Sequence, residues 1–383
     1  MKRLLHPFYL ALFLILFLLP VCFYAQAEKW MTPEMRAIQQ EISNNAERIE
    51  NLDRTYLTAL ERKLQAALAK DPQNPLLHYA MGQHFLNLQG KVEKLLGYPV
   101  LTDAEEQSLN EGTMSGIRLG QAQEISKYRV EYSNKARKYL KKASESGYAP
   151  LQVAYVEFLR SGYYPQQNLL LKDYAPKIQS INSVTVGLLE SAYRQGNVDA
   201  GRALGEIYIK GEGLVAQDVQ KGEQYLSQIQ TKLKFPAAVY DELGYGFLTA
   251  PKTRTEQSGF YFSLPLAERF LKKASSLTSR VSDLWLGYMY YGALGQRSIQ
   301  PPNLEKAAFH LSRGVVSAKE TTDGYLMLAT LHLDGLGGLK KDPQRAKEML
   351  KRLQSLKKHE ATLDFVDWQS MQTLITQLLG RTP

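Results

Sequence analysis

The hydrophobic positions of residues 201–229 predict a hairpin of two helices. Apolar residues three and four apart lie on one face of a helix, and two such faces flank a Gly-Glu-Gly break at residues 211–213. The apolar positions are, in chain order, Leu204, Ile207, Tyr208, Tyr225, Leu226 and Ile229.

The first helix of this hairpin recurs along the chain, and we call it the glycine helix. Its small residue falls at Gly205, Gly244, Gly287 and Ala329, with a degenerate copy around Ala154. Glycine within a helix is about 1 kcal/mol less favourable than alanine, so its recurrence predicts another helix passing too close for a side chain. Further glycines six residues on predict left-handed helix ends. These are Gly162, Gly211 and Gly335.

The second helix also recurs, and we call it the leucine helix. Its copies contain Tyr139-Leu-Lys-Lys-Ala, Leu188-Leu-Glu-Ser-Ala, Phe270-Leu-Lys-Lys-Ala and Met349-Leu-Lys-Arg-Leu. Self-similarity at a period of roughly 35 to 45 residues is typical of a solenoid, in which each hairpin buries its apolar face against its neighbours. The pattern therefore predicts an all-α fold, an α-solenoid of stacked helix hairpins.

The sequence Ala-x-x-Leu-Gly-x-x-Tyr-x-x-Gly-x-Gly, followed by Asp and an Ala-x-x-x-Leu helix, resembles Sel1-like repeats, which are related to tetratricopeptide repeats. Residues 201–226 and 328–350 match best, and the resemblance covers roughly residues 135 to 355. It implies a helical scaffold for protein partners, and leaves the partner open because function depends on the surface that the repeats present.

The first 27 residues have the pattern of a secretory signal peptide. Lys2 and Arg3 precede an apolar run over residues 8–19, and Ala25-Gln-Ala27 supplies small residues before a cut after Ala27. The alternative is an uncleaved anchor, but the run is shorter than the ~20 residues that span a bilayer. We therefore expect a periplasmic or secreted protein with no membrane span in the mature chain.

The single cysteine, Cys22, lies inside this predicted signal peptide. A mature chain would then contain no disulfide and no cysteine metal site. Valine at position 21 does not fit a lipobox, so we do not expect an outer-membrane lipoprotein.

We predict four further segments. Residues 28–70 form a long N-terminal helix, whose heptad spacing fits either a short coiled coil or a cap on the solenoid. Residues 71–134 contain the end of a tetratricopeptide-like hairpin and an irregular insertion with helix again from about Gln121. Residues 135–356 form Sel1-like repeats, and residues 357–383 form a helical C-terminal cap.

The motifs of common catalytic sites do not occur in the sequence. There is no His-Glu-x-x-His zinc motif and no Gly-x-Ser-x-Gly elbow, and Gly335-Leu-Gly-Gly-Leu-Lys-Lys341 lacks the Gly-Lys-[Ser/Thr] ending of a phosphate loop. We therefore expect no enzyme activity, no cofactor and no metal site.

Tyrosine is frequent, at 23 residues, and it clusters on one glycine helix as Tyr288, Tyr290 and Tyr291. Most tyrosines of this kind pack between repeats. Because tyrosine is also enriched in protein interfaces, we predict a partner contact at this cluster.

Basic pairs recur at one position of the leucine helix, directly after its leucine. They are Lys141-Lys142, Lys272-Lys273 and Lys351-Arg352. The chain carries a formal net charge of +9, so these pairs form either an ordinary solvated face or an interrupted basic stripe. The stripe would attract acidic proteins or anionic polysaccharides; we do not expect nucleic acid as the partner of an exported protein.

The chain is further similar to the periplasmic repeat scaffolds of alginate-type exopolysaccharide secretion, through helices such as Leu286-Gly-Tyr-Met-Tyr-Tyr291. That similarity implies an adaptor in a cell-envelope assembly. Two alternatives stay open at this point: a secreted effector or regulatory adaptor that binds a host or envelope protein, and a polysaccharide-binding or modifying protein.

Overall fold

The computed structural model of the chain describes most of the residues that follow the predicted signal peptide. The described residues are 27–99, 102, 104–105, 108, 113–160, 182–251, 260–317, 320–357 and 368–382. Within these ranges the secondary structure is helical throughout, with no strand. The predicted all-α fold of stacked hairpins is confirmed. Cys22, Gly162 and nearly all of the predicted signal peptide lie outside the described residues.

The described α-helices are numbered here in chain order. They are α1 Pro33–Asn44, α2 Ala46–Glu50, α3 Arg54–Lys70, α4 Pro75–Gln89, α5 Val92–Leu96, α6 Gly116–Ser144, α7 Ala149–Arg160, α8 Ser183–Arg194, α9 Val198–Lys210, α10 Val219–Ile229, α11 Pro236–Thr249, α12 Leu264–Ser276, α13 Arg280–Tyr291, α14 Leu304–Gly314, α15 Thr322–Asp334, α16 Pro343–Gln354 and α17 Trp368–Gly380.

The chain divides into two compact units. Unit 1 covers residues 1–226 and unit 2 covers residues 227–383, with the boundary inside α10. Among the described residues, unit 1 contains hairpins 1 (α4 and α6), 2 (α7 and α8) and 3 (α9 and α10). Unit 2 contains hairpins 4 (α11 and α12), 5 (α13 and α14) and 6 (α15 and α16).

The predicted single helix over residues 28–70 is divided into α1, α2 and α3. Leu52, between α2 and α3, has a φ of +59°. This left-handed conformation is incompatible with a right-handed helix, so the helix cannot run through it. The side chain of Asp53 then caps α3 by accepting a hydrogen bond from the Tyr56 amide at 3.0 Å. The heptad positions Met35 and Ile42 are buried in the core of unit 1, as expected for a cap rather than a free coiled-coil seam.

In hairpins 3, 4 and 5 the glycine of the glycine helix contacts the leucine of the leucine helix. A Cβ atom built on Gly205, Gly244 or Gly287 would lie 2.6 to 2.7 Å from the side chain of Leu226, Leu271 or Leu311, respectively. The predicted close approach is therefore confirmed. Hairpin 1 has the same contact, since a Cβ atom built on Gly82 would lie 2.7 Å from the Leu140 side chain, although the sequence pattern did not align α4 with the repeats.

A second contact of the hairpins is a ring stacked across the two helices. The residue three after the glycine lies against the residue just before the leucine, with ring centroids 5.7 to 6.0 Å apart and planes within 17° of parallel. The pairs are Phe85 with Tyr139, Tyr208 with Tyr225, Phe247 with Phe270, and Tyr290 with His310. Together the glycine and the stacked pair fix how the two helices meet.

The turns of hairpins 3 to 6 differ in length but are closed by the same hydrogen bond. The backbone amide of the residue just before the leucine helix donates a hydrogen bond to a carbonyl of the glycine helix, three residues after its small residue. The Asp218 amide donates to the Tyr208 carbonyl at 2.8 Å, and the Asp342 amide donates to the His332 carbonyl at 2.8 Å. Gly211 and Gly335 end their helices with φ of +61° and +68°, which confirms the predicted left-handed ends.

One predicted segment differs in detail from the observed helices. α6 begins at Gly116, earlier than the expected Gln121, and runs unbroken through Ser144, so part of the segment that we expected to be irregular is helix. At the C-terminus, α17 buries Met371, Ile375 and Leu378 in the core of unit 2.

Candidate interaction surface

The predicted tyrosine contact falls mainly inside the protein. Tyr288 and Tyr290 are each 1% exposed, and Tyr291 is half-buried. The Tyr290 hydroxyl donates a hydrogen bond to Glu268 Oε1 at 2.5 Å. This corrects the prediction, because Tyr288 and Tyr290 are core residues and present no surface to a partner.

The basic pair of unit 1 lies near the end of α6. Lys141 and Lys142 are both exposed, and Lys142 Nζ forms an ion pair with Glu145 Oε2 at 3.0 Å. The positive charge of Lys142 is therefore balanced by a neighbour one helical turn away.

The two basic pairs of unit 2 are also exposed. Lys272 Nζ lies 2.5 Å from Glu268 Oε1, and this hydrogen bond raises the pKa of Lys272. Lys273 Nζ lies 5.9 Å from the ring centroid of Tyr240, and Arg352 Nη1 donates a long hydrogen bond of 3.5 Å to the Tyr325 hydroxyl.

Arg313 belongs to the basic stripe of the leucine helices, although the sequence pattern did not predict it. It stands two residues after Leu311, as Lys273 and Arg352 stand two residues after Leu271 and Leu350. The predicted stripe consists of basic pairs, and Ser312 stands where hairpin 5 would have the first member of such a pair. Alignment on the leucine that contacts the glycine would have found it.

Lys273, Arg313 and Arg352 occupy the same position in their leucine helices, and their contacts lie at the same position of the glycine helices. Tyr240 and Asp283 stand four residues before Gly244 and Gly287, and Tyr325 stands four residues before Ala329. Arg313 Nε lies 3.2 Å from Asp283 Oδ2. Each basic side chain thus reaches back to the glycine helix of its own hairpin.

Asp283 is the centre of a buried polar cluster in unit 2. His310 Nδ1 lies 2.8 Å from Asp283 Oδ1, and the Ser275 hydroxyl donates to the same oxygen at 2.7 Å. Burial lowers the pKa of His310, and the contact with Asp283 opposes this only in part. Because the serine and the histidine both bind the carboxylate rather than each other, the cluster contains no base–nucleophile pair.

A different cluster lies in unit 1, around Arg160 at the end of α7. Its guanidinium contacts Glu157 at 2.7 Å, Glu206 at 2.7 Å and Glu212 at 3.1 Å, and Lys210 Nζ lies 3.1 Å from Glu212. Glu212 is the middle residue of the Gly-Glu-Gly break, so this turn also ties hairpin 3 to hairpin 2.

The charges of this cluster are matched although they are buried. Burial alone would raise the pKa of Glu206, but Arg160, Lys210 and Arg202 lower it to about 2. The pKa of Glu212 is lowered too, because the attraction of Arg160 and Lys210 outweighs its burial. These carboxylates are therefore ionised at neutral pH and act as structural ties.

The excess positive charge of the chain belongs to unit 2. Residues 28–226 carry 24 Lys and Arg and 24 Asp and Glu, whereas residues 227–383 carry 21 Lys and Arg and 14 Asp and Glu. Their net charges are zero and +7. An acidic partner would therefore be attracted chiefly to unit 2.

The described residues also bear on metal binding and on membrane crossing. In these ranges no group of three or more His, Cys, Asp or Glu side chains is arranged to hold a metal ion. No helix in the described part of the chain has both the length and the apolar character needed to cross a membrane.

Four segments of the chain match the Sel1 repeat, at residues 118–148, 199–228, 282–314 and 322–353. The chain is similar to the crystal structure of a Sel1 repeat protein from Oxalobacter formigenes, with 18% identity, a TM-score of 0.29, and coverage of 72% of this chain and 98% of that one. It is also similar to c5321, a protective antigen of uropathogenic Escherichia coli with an SLR fold, with 14% identity, a TM-score of 0.31, and coverage of 85% and 83%. At these scores neither likeness bears on function. No curated protein sequence matches the chain significantly.

Proposed function

The chain contains Sel1 repeats, and we propose that it is an exported scaffold that binds acidic protein partners within a cell-envelope assembly. Sel1 repeats mediate protein–protein interactions, and proteins built from them are typically non-catalytic. The observation that carries the proposal is the uneven charge of the two units: unit 1 after residue 27 is neutral, whereas unit 2 has a net charge of +7.

Export is supported by the sequence of the first 27 residues. The apolar run ends at Pro20, and Ala25-Gln-Ala27 precedes the first described helical turn, Glu28–Trp30. The Trp30 carbonyl accepts a hydrogen bond from Asn74 Nδ2 at 2.9 Å, and its ring lies 5.5 Å from that of Tyr148. A mature chain that begins at Glu28 would keep these contacts.

Within the envelope, we place the protein in exopolysaccharide export. The resemblance of Leu286–Tyr291 to the repeat helices of alginate-type secretion scaffolds supports this assignment. The role of the chain would be to connect protein components of the exporter, with the basic surface of unit 2 as the contact for an acidic component.

Two measurements in the native host test this proposal. Intact mass of the tagged protein from the periplasmic fraction should correspond to a chain that begins at Glu28. Retention of residues 1–27 in the membrane pellet, or a lipid on Cys22, would contradict the export proposal.

Cross-linking of the tagged chain in intact cells, followed by mass spectrometry, tests the scaffold role. We expect cross-links from unit 2 lysines to envelope proteins of acidic composition. Deletion of the gene should reduce secreted polymer while its synthesis continues; unchanged secretion would remove the exopolysaccharide assignment.

A further inference from the structure

We infer that the connection between hairpins 4 and 5 is a strained latch, which opens locally while the two hairpins stay packed. The connection leads from Ser276, the last residue of α12, to Ser282 in the first turn of α13, and we call residues 276–282 the latch. The inference goes beyond the proposed function, because it concerns how the repeats move and does not depend on which partner they bind.

The strain of the latch lies at Thr278. Its φ of +69° places it in the left-handed region, where the Cβ atom comes too close to the following carbonyl oxygen and where β-branched residues are rarely found. Leu52 has a similar φ, but its side chain is buried in the core of unit 1. The Thr278 side chain is exposed, so no buried apolar contact of its own offsets the strain.

Unit 1 contains the same connection with a glycine at the strained position. Between hairpins 2 and 3, Gly196 has a φ of +85°. The next residue in each connection caps the following helix, and the backbone angles agree closely: φ −71° and ψ 117° for Asn197, φ −72° and ψ 115° for Ser279. Their amides donate to the carbonyls of Ala192 and Ala274, each at 3.1 Å. The backbone is therefore shared, and only the glycine adopts it without strain.

Asp241 of α11 holds the latch closed. The Ser279 hydroxyl lies 2.8 Å from both oxygens of Asp241 and donates to this carboxylate, and the Ser282 hydroxyl donates to Asp241 Oδ1. The Ser282 amide in turn donates to Ser279 Oγ at 3.1 Å, which closes the first turn of α13. A strained conformation persists only where its surroundings hold it, and Asp241 supplies contacts that do so here.

Other contacts between hairpins 4 and 5 lie outside the latch. The Ser275 hydroxyl donates to Asp283 Oδ1 at 2.7 Å, and the Ser275 carbonyl accepts a hydrogen bond from Arg313 Nη2 at 3.2 Å. At the opposite ends of α12 and α13, the Tyr290 hydroxyl donates to Glu268 at 2.5 Å. These contacts would keep the two hairpins packed when the latch opens.

Opening of the latch follows from these two sets of contacts. When Asp241 releases Ser279 and Ser282, Thr278 can leave the left-handed region, and the strain in the closed state favours this step. The last turn of α12 and the first turn of α13 then become part of a longer connection. Hairpin 5 gains freedom to adjust its angle on hairpin 4 at this point, whereas the glycine connection of unit 1 stores no such strain.

Hydrogen exchange of the full chain, followed by mass spectrometry of peptides, tests the latch with a reciprocal pair of variants. Thr278→Gly should slow exchange of the latch amides about threefold or more, because relief of the strain outweighs the greater freedom of glycine in the open state. Gly196→Thr should accelerate exchange in the equivalent connection of unit 1 by a similar factor. A Cβ atom built on Gly196 meets nothing within 4 Å, so this variant adds backbone strain without a clash at Cβ.

Thr278→Ala is the matched control for the glycine variant. The Thr278 hydroxyl donates to the Leu277 carbonyl at 2.6 Å, and alanine removes this contact but keeps a Cβ atom in the left-handed conformation. Exchange of the latch amides should therefore slow much less than in Thr278→Gly. Equal slowing in the two variants would show that the hydroxyl, rather than the backbone conformation, governs opening, and would overturn the inference.

Asp241→Asn tests the hold on the latch. Asparagine keeps the size of the side chain, but its amide nitrogen cannot accept a hydrogen bond, so exchange of the latch amides should accelerate. Glu242→Gln, the same change at the neighbouring exposed residue of α11, should leave exchange unchanged. Thr278→Gly added to Asp241→Asn should return exchange towards wild type, because a relaxed connection needs less support.

The extent of the change along unit 2 decides between a local latch and general stability. Slower exchange in Thr278→Gly confined to the latch and its flanking turns would support the inference. No change there, or equal slowing throughout unit 2, would mean that the strain is released only on global unfolding and would overturn it. If Asp241→Asn does not fold, Asp241 supports the whole unit and its role in the latch is wrong, while the Thr278 and Gly196 variants still test the strain.

Discussion

Units 1 and 2 use the same hairpin but tie neighbouring hairpins together with different chemistry. In unit 1, Arg160 of hairpin 2 holds Glu206 and Glu212 of hairpin 3 in a buried network of full charges. In unit 2, Asp241 of hairpin 4 accepts hydrogen bonds from the hydroxyls of Ser279 and Ser282 of hairpin 5.

The difference teaches that the packing within a hairpin does not dictate the polar contacts between hairpins. In hairpins of both units a Cβ atom built on the glycine would lie 2.6 to 2.7 Å from the leucine side chain, and the stacked ring pair occurs in both. The contacts between hairpins can be ion pairs or hydrogen bonds from hydroxyls to a carboxylate, as long as each buried polar group finds a partner. The two kinds of contact should differ in how much each residue contributes to the free energy of unfolding, and in how that contribution depends on pH.

The largest expected effect comes from Arg160→Met. The change leaves Glu206 and Glu212 buried without their main counter-charge, and breaking a buried pair in this way costs about 3–5 kcal/mol. Hydrogen exchange of the full chain, followed by mass spectrometry of peptides, should show lost protection in α7 and α9 and little change in unit 2. Arg202→Met, which removes a more exposed partner of Glu206, should cost less than about 1 kcal/mol; equal losses would mean that burial does not matter here.

A smaller effect, shared by both units, is expected from Gly205→Leu and Gly287→Leu. In each variant the added Cβ atom would lie only 2.6 to 2.7 Å from the facing leucine, and overpacking costs about 1–3 kcal/mol, occasionally more. Thermal unfolding followed by circular dichroism measures the loss. The control is Gly120→Ala in α6, where an added Cβ meets nothing within 4 Å; it should stabilise by up to about 1 kcal/mol. A normal melt for either leucine variant would mean that the hairpin opens to accept the side chain.

A third prediction concerns acid. The pKa values of His310 and His332, both in unit 2, are lowered below 6.5 chiefly by burial, so these histidines bind protons more readily when unfolded. Their contribution to stability is complete above pH 6.5 and is lost as the pH falls through their folded values. In unit 1, the contribution of Glu206 is complete above 4.5 and is lost only as the pH falls towards about 2.

Unit 2 should therefore lose hydrogen-exchange protection under mildly acidic conditions in which unit 1 keeps it. His310→Phe should reduce this loss, because phenylalanine occupies the equivalent position 270 and stacks there on Phe247. Equal acid sensitivity of the two units, or no change in the variant, would contradict the assignment.

The smallest effect on stability is expected from Lys272→Glu with Lys273→Glu. Both side chains are exposed, and such surface changes usually shift the free energy of unfolding by less than about 0.5 kcal/mol. The thermal melt should stay close to that of wild type. A large loss of thermal stability would show that the contacts of Lys272 with Glu268 and Tyr290 stabilise the fold.

The parts of the fold that depend on local pattern could be predicted from the sequence. The close approach at Gly205, Gly244 and Gly287 followed from the cost of glycine in a helix, and the left-handed ends at Gly211 and Gly335 followed from their spacing. The same contact in hairpin 1 was missed because residues 90–115 separate Gly82 from Leu140, which hides the repeat period.

The parts that depend on three-dimensional partners could not be predicted in this way. The helical pattern put Tyr288 and Tyr290 on or beside one face of α13, but α13 is covered on several sides, and both rings are buried. Arg160, Glu206 and Glu212 come together from two hairpins, and nothing in their spacing indicates that they meet. Arg313, by contrast, can be predicted from the sequence if Leu311 is aligned with Leu271 and Leu350.

The unequal turns have a consequence for how such a chain changes over evolutionary time. The connection between the two helices of a hairpin covers residues 90–115 in hairpin 1 but residues 211–218 in hairpin 3 and 335–342 in hairpin 6. The entropy of closing a loop grows slowly, by about 0.6 kcal/mol for each doubling of its length. In hairpins 1 and 3 the glycine contact and the stacked rings hold the helices on either side. A lineage can therefore gain or lose sequence at a turn without re-adjusting the core, and the connection in hairpin 1 is the natural place to graft a reporter domain.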